Sequence, residues 1–160
     1  MNAAAIDYRQ PRSLIVTVIF IALVVAVGAV IGVNNTPDAW YTALAKPPFN
    51  PPNWVFGPVW FTLYVLIAIA GARTFLRDAT SPAMFVWAGQ MVLNWAWSPV
   101  WFSAHLLWPA FAIIAAILVL ILAFIALTWR TDRPSALMFV PYAAWVAFAS
   151  TLNLSIALLN

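Results

Sequence analysis

The groups that ordinarily carry out covalent chemistry are scarce in this chain and poorly spaced for it. Its carboxylates are Asp7, Asp38, Asp78 and Asp132, its single imidazole is His105, and it has neither cysteine nor glutamate. Thiolate chemistry, disulfides and Cys-built metal sites are therefore closed to it. No Ser-His-Asp grouping and no metal-ligand spacing occurs, which argues against a conventional hydrolase or metalloenzyme and assigns no metal. Ion-coupled pumps place a charged or titratable group at mid-membrane. Here no Asp, Lys or His falls at the centre of a long apolar run.

What remains is a set of neutral polar and aromatic side chains at helical spacing. Gln90, Asn94 and Ser98 recur four residues apart, with Trp87, Trp97 and Trp101 on or beside that stripe. Tyr142, Trp145, Ala149 and Asn153 form a second stripe, and Trp60 with Tyr64 repeats the pattern earlier. Residues at i and i+4 share one helix face. One reading is interhelical glue, since buried amides and hydroxyls hydrogen-bond between membrane helices. The other is a pocket, in which indoles stack on a flat, largely apolar molecule and a few neutral polar groups orient its edges. Any single residue fits the first reading; the three stripes together favour the second.

The elements that must position these groups are apolar helices. The chain is 66% hydrophobic and 7% charged, with a mean hydropathy of +0.96. Soluble domains carry about 25% charged residues, so the class is an integral membrane protein. About 20 apolar residues span a bilayer, and five stretches qualify: 13–33, 54–76, 81–103, 106–129 and 134–158. Strand alternation is absent, so the expected fold is all-α, a single domain of five transmembrane helices with a long structured loop between the first two. The first stretch is longer than the core of a signal peptide and reads as a retained span. Ser81-Pro82 is a cap followed by proline at the first helical position. Pro99 and Pro141 are expected to kink their helices.

Five spans put the termini on opposite sides. Arg9, Arg12, Arg73, Arg77, Arg130 and Arg133 then share one side, and Lys46 is the only basic residue on the other. The positive-inside rule makes the arginine side, with the N-terminus, cytoplasmic and places the C-terminus outside. In a bacterium, a helical bundle of this kind is expected in the inner membrane. The basic balance reflects membrane flanks rather than nucleic acid, because no basic cluster exists.

The stretch AKPPFNPPNWVFGPVW, residues 45–60, belongs to the outer connection. Residues 34–53 form a link well beyond the roughly 2–8 residues usual between bundle helices. Pro47, Pro48, Pro51 and Pro52 stiffen it and lower the entropy of ordering it. A tether needs no such stiffness; a lid over a pocket mouth does. Lys46 either meets an anionic ligand edge or simply marks the interface. On the first span, Gly28 and Gly32, with Ala22 and Ala26, make a small-xxx-small pattern that permits close approach of a second copy.

Three stretches are recognisable: WYTALAKPPFNPPNWVFGPVWFTLY (40–64), NWAWSPVWF (94–102) and PYAAWVAFASTLN (141–153). They resemble the signature regions of the TspO/MBR family, which includes bacterial tryptophan-rich sensory proteins and the mitochondrial translocator protein. The resemblance runs through all five expected spans. It implies a five-helix membrane bundle, commonly a homodimer, with a pocket under the first loop for protoporphyrin IX and benzodiazepine-site ligands, and no covalently bound cofactor. Lipid and other flat apolar small molecules are further partners it implies. By motif, the implied pocket residues are Trp40, Tyr41, Lys46 and Pro51 from the lid, Phe56 and Trp60 from the second span, Asn94, Trp97 and Ser98 from the third, and Trp145 and Ala149 from the fifth. Trp60 and Trp145 match family indoles linked to light-dependent porphyrin degradation, an activity the resemblance implies beside porphyrin transport, sensing and regulation. Animal members carry a cholesterol motif near the C-terminus that ends in Tyr and then Lys or Arg. This chain ends TLNLSIALLN, lacks both there, and has no cation where the motif requires one after Tyr142. The resemblance therefore does not extend to that sterol site, and a membrane transporter that binds lipid or sterol elsewhere stays open as an alternative to the porphyrin reading.

Overall fold

Proline and serine set the helix starts. The structure is a computed structural model that describes residues 10–160; Asp7 and Arg9 lie outside that range. Helix α1 (Pro11–Asn34) begins on a proline whose missing N–H is no loss in a first turn. A short helix α2 (Ala39–Ala43) follows, capped by Asp38, whose carboxylate accepts the Tyr41 amide at 3.0 Å. A 3-10 turn at Asn53–Val55 leads into α3 (Phe56–Arg77). Helix α4 (Pro82–Ser98) starts as the Ser81-Pro82 pair predicts, with Ser81 Oγ accepting the Met84 amide at 3.2 Å. Helices α5 (Leu107–Thr128) and α6 (Arg133–Leu159) complete the chain.

The described residues are all-helical. They hold six α-helices where the sequence predicts five, because the link between α1 and α3 carries α2. Four stretches are long and apolar enough to cross a membrane: Pro11–Asn34, Asn53–Arg77, Leu107–Thr128 and Arg133–Leu159. Helix α4 has 17 residues, short of the ~20 a crossing takes. Pro99 is expected to kink this helix, and the structure continues it as a π-helical turn, Pro99–Ser103. Pro99 has no N–H to donate to the ladder, and its carbonyl accepts the Ala104 amide at 2.9 Å, the wider π register. Pro141 sits inside α6 without ending it.

The long helices neighbour one another in the order α1–α3–α6–α5–α4 and back to α1, a closed ring. Lipid is as apolar as leucine, so close packing and hydrogen bonds hold such a ring rather than water exclusion. Two glycines set its tightest seams. A Cβ at Gly28 of α1 would fall inside the Tyr64 ring of α3, and one at Gly71 of α3 would fall inside the Trp87 indole of α4. Trp87 is anchored there by donating Nε1–H to the Ile67 carbonyl at 2.9 Å. Phe124 and Phe139 stack at 4.0 Å between α5 and α6. Leu14, Ile15, Val18, Leu23, Val119 and Leu122 face outward, as a lipid-facing surface requires.

At one end of the ring, Asp132 gathers the arginines. Arg73 donates Nη2–H to Asp132 Oδ1 at 2.5 Å and Nε–H to Oδ2 at 3.1 Å. Ser135 donates to Oδ2 at 2.5 Å, and Arg77 Nε lies 3.5 Å from the same oxygen. Burial pushes this carboxyl up, but hydrogen bonds from Arg73 and Ser135 and the charges of both arginines outweigh it, so it lies below the ordinary carboxylate range.

Candidate ligand cavity

Helices α1, α3, α4, α5 and α6 enclose a cavity of about 620 Å³. Trp60 and Phe56 reach it from α3, Asn94, Trp97 and Ser98 from α4, and Trp145 and Ala149 from α6. Tyr41 reaches it from α2. Eight of the eleven residues implied by motif thus line one hollow. The other three, Trp40, Lys46 and Pro51, stand outside it.

The aromatic walls are mutually braced. Trp97 stacks on Trp101 at 6.0 Å, and Trp60 lies 5.5 Å from Tyr64. Phe56 meets Trp145 edge-on at 5.7 Å. Contacts of this kind hold indoles in fixed orientations. The Trp145 Nε1–H is buried and has no hydrogen-bond partner among the described residues.

The neutral polar groups form a chain across three helices. Tyr64 donates its hydroxyl to Asn94 Oδ1 at 3.0 Å, and Asn94 Nδ2 donates to the Tyr142 hydroxyl at 2.8 Å. Tyr142 in turn donates to Gln90 Oε1 at 2.9 Å. Asn94 and Tyr64 touch the cavity, whereas Tyr142 and Gln90 lie behind it, fully buried. Trp97 donates Nε1–H to Asn153 Oδ1 at 3.3 Å, and Asn153 also lines the cavity.

Asn35, Thr36, Pro37, Tyr41 and Asn53 of the connection between α1 and α3 line the cavity and form its roof, and side chains fasten that roof. Ser103 donates to Asn35 Oδ1 at 2.5 Å. His105 Nε2 sits 3.2 Å from Asp38 Oδ2, and its ring stacks on Trp40 at 4.1 Å. To do so, His105 takes a left-handed backbone, φ 57°, at a cost of about 1–2 kcal/mol. The Tyr41 amide and then His105 hold the Asp38 carboxyl below its ordinary value. At the far end, Asn160 Oδ1 accepts the Ala45 amide at 3.0 Å and its Nδ2 donates to the Ala45 carbonyl at 3.1 Å.

Lys46 serves the roof rather than the cavity. Its ammonium donates to the Tyr41, Thr42 and Leu44 carbonyls at 2.5, 3.2 and 3.0 Å and lies over the Tyr41 ring. It satisfies carbonyls left open at the end of α2. Trp40 is a strut against His105 and Trp101. The small residues of α1 also divide. Gly28 is buried against Tyr64 and Gly32 lines the cavity, while Ala22 and Ala26 face outward. At roughly 100° per residue the two pairs lie on different faces, so the four do not form one surface.

Trp101, which sequence reasoning set beside the third-span stripe but not among the residues implied by motif, lines the cavity, as do Asn53 and Ile114, which it left out. Trp101 follows Trp97 at i+4, which is signal enough. Asn53 and Ile114 carry no pattern that sets them apart. Among the described residues, no cluster of His, Asp or Glu could hold a metal ion.

An all-helical chain with lipid-facing helices and an indole-lined hollow defines a class of membrane protein, and the comparisons place it within that class. Residues 19–159 match the sequence pattern of the TspO/MBR family. The chain is 35% identical over 133 residues to protein CrtK of Rhodobacter capsulatus, covering 81% of this chain and 83% of that one. It is 32% identical to the tryptophan-rich sensory protein of Cereibacter sphaeroides, covering 89% and 91%. With the translocator protein of Ovis aries it shares 34% identity, covering 71% and 70%. The chain belongs to the TspO/MBR family.

Proposed function

We propose that this protein binds a tetrapyrrole, with protoporphyrin IX as the reference ligand, and acts in porphyrin transport, sensing or regulation of tetrapyrrole synthesis. The observation that carries the reading is the cavity of about 620 Å³ with Trp60, Trp97, Trp101 and Trp145 on its walls. That volume falls within the roughly 300–1,000 Å³ of small-molecule sites. Stacking surfaces, few polar groups and no ionised side chain on the lining suit a flat apolar macrocycle. The names of the relatives, a sensory protein and a translocator protein, support a ligand-handling role.

In this reading α4 and its π-helical extension make a fifth crossing, so that the arginines are cytoplasmic and the roof is outside, in a bacterial inner membrane. The outward face of α1, with Ala22 and Ala26, is the surface through which two copies pair. A second reading, light-dependent breakdown of the porphyrin with molecular oxygen as oxidant, is favoured by one feature. Trp60 and Trp145 line the same hollow, where either indole can donate an electron to an excited macrocycle.

The test is protoporphyrin IX titrated into the purified protein in nanodiscs. Saturable quenching of tryptophan fluorescence is expected, weakened in Asn94→Ala and Trp145→Ala. Unchanged affinity in both variants returns those residues to a purely structural role. Loss of the porphyrin absorbance band in light, reduced in Trp60→Phe or Trp145→Phe, selects breakdown; a stable band selects binding.

A further inference from the structure

We infer that the cavity is reached sideways, from the bilayer hydrocarbon, through a slot between α1 and α3 rimmed by Gly32 and Gly57. The inference rests on reading the cavity as a ligand site. A residue that lines an interior hollow and is also open to the outside marks a mouth. Gly32 and Ala29 on α1 and Gly57 and Phe61 on α3 all line the cavity and are all exposed, Phe61 at 59%, and Thr36, Pro37 and Asn53 at the edge of the roof do the same, so the opening runs from the α1–α3 slot up to the roof. A Cβ built on Gly32 or Gly57 meets nothing within 4 Å. Two helices that face each other across side-chain-free positions leave a gap between them.

The other seams are shut. Below the slot, the Gly28–Tyr64 contact closes α1 on α3. Across α1 and the end of α4, Ser103 binds Asn35. Between α3 and α6, Phe56 meets Trp145 and Trp60 meets Tyr142. The roof is stiffened by its prolines and tied at Asn35, Asp38 and Ala45 to residues of other elements. Among the described residues, no side-chain hydrogen bond or ring contact of this kind spans the slot. Along the two helices its rim of Ala29, Gly32, Gly57 and Phe61 carries no polar side chain, so it faces hydrocarbon without penalty, and the polar Thr36 and Asn53 border only its roof end. The ligand class is therefore a flat molecule already dissolved in lipid.

The experiment follows exchange of protoporphyrin IX by stopped-flow tryptophan quenching in phosphatidylcholine nanodiscs. Gly32→Leu with Gly57→Leu fills the slot and is expected to slow association and dissociation together, by about tenfold. Damage to the site itself would instead speed dissociation. Phe61→Ala widens the mouth and is expected to speed both rates, which decides the matter if the leucine pair folds poorly. A disulfide between Ala45→Cys and Asn160→Cys, unique because the chain has no cysteine, locks the roof and is expected to leave both rates within about twofold of the unmodified protein. Exchange that stops on locking the roof and ignores the slot variants overturns the inference. No saturable quenching in the unmodified protein overturns the cavity reading itself, and the slot with it.

Discussion

Asn94 sits between Tyr64 and Tyr142, accepting a hydrogen bond from the first at 3.0 Å and donating one to the second at 2.8 Å. It touches the cavity, and Tyr142 does not. The two positions therefore separate packing from binding. Tyr142→Phe removes the donor to Gln90 Oε1, whose Nε2 already has no partner. The variant leaves a whole buried amide unpaired, at a cost of about 1–3 kcal/mol. Thermal unfolding in nanodiscs is expected to show that loss, with porphyrin affinity changed far less. Asn94→Ala is expected to lower both. Equal affinity losses in the two variants would show that the relay, not the cavity wall, sets binding.

This relay also shows how far the sequence was legible. Neutral residues at i, i+4 spacing read as either glue or pocket, and the geometry divides them. Gln90 and Tyr142 bridge helices, Trp145 and Ser98 line the hollow, and Asn94 does both. Composition settled the all-helical membrane class because charge is too costly to bury in lipid. Ser81-Pro82 announced a helix start that the structure keeps. The ring order of the helices was not legible, since it depends on contacts distant in sequence, such as Gly28 on Tyr64. Helix α2 escaped notice although Asp38 stands where an N-cap should, because the prolines after it dominate the local pattern. The π turn depends on where Pro99 falls relative to the helix end, which spacing alone does not tell.

Lys46 is the residue whose expected role changes most. As the lone cation of the outer connection, it was a candidate partner for a ligand carboxylate. Its ammonium is instead spent on three carbonyls at the end of α2. Lys46→Met is therefore expected to loosen the roof and to weaken carboxylated and neutral flat ligands by the same factor. Fluorescence titrations with protoporphyrin IX and with its dimethyl ester make the comparison. A loss confined to the free acid would restore charge pairing.

Asp132 predicts an acid limit. Its carboxyl is lowered in the folded state from an ordinary value of 3.8. A depressed carboxyl contributes stability that is fully present above its unfolded pKa and is lost as pH falls through the folded value. The protein is thus expected to hold its stability down to about pH 4 and to lose it below. Asp132→Asn removes the charge at all pH values and leaves Arg73 facing a neutral amide. With Asp132 only 2% exposed, breaking such a pair costs about 3 kcal/mol. Thermal denaturation at pH 7 and pH 3 is expected to show a smaller difference in the variant than in the unmodified protein.

Gly71 and Gly89 make a paired test of the packing. Glycine inside a helix costs about 0.5–1 kcal/mol relative to alanine, so Gly→Ala stabilises wherever there is room. At Gly89 a Cβ would meet Leu120 Cδ1 at 3.8 Å, an ordinary contact, and Gly89→Ala is expected to raise the unfolding midpoint. At Gly71 the same atom would land in the Trp87 indole. That ring cannot retreat freely, because Nε1–H is bound to the Ile67 carbonyl and Phe20 lies 5.3 Å from it on the other helix, α1. Overpacking of this kind costs about 1–3 kcal/mol, more than the helix propensity returns. Gly71→Ala is therefore expected to lower the midpoint and to shift the Trp87 contribution to near-ultraviolet dichroism. A Gly71→Ala protein as stable as Gly89→Ala would mean that α4 can slide away from α3 at no cost, and that the Trp87 anchor does not hold the seam.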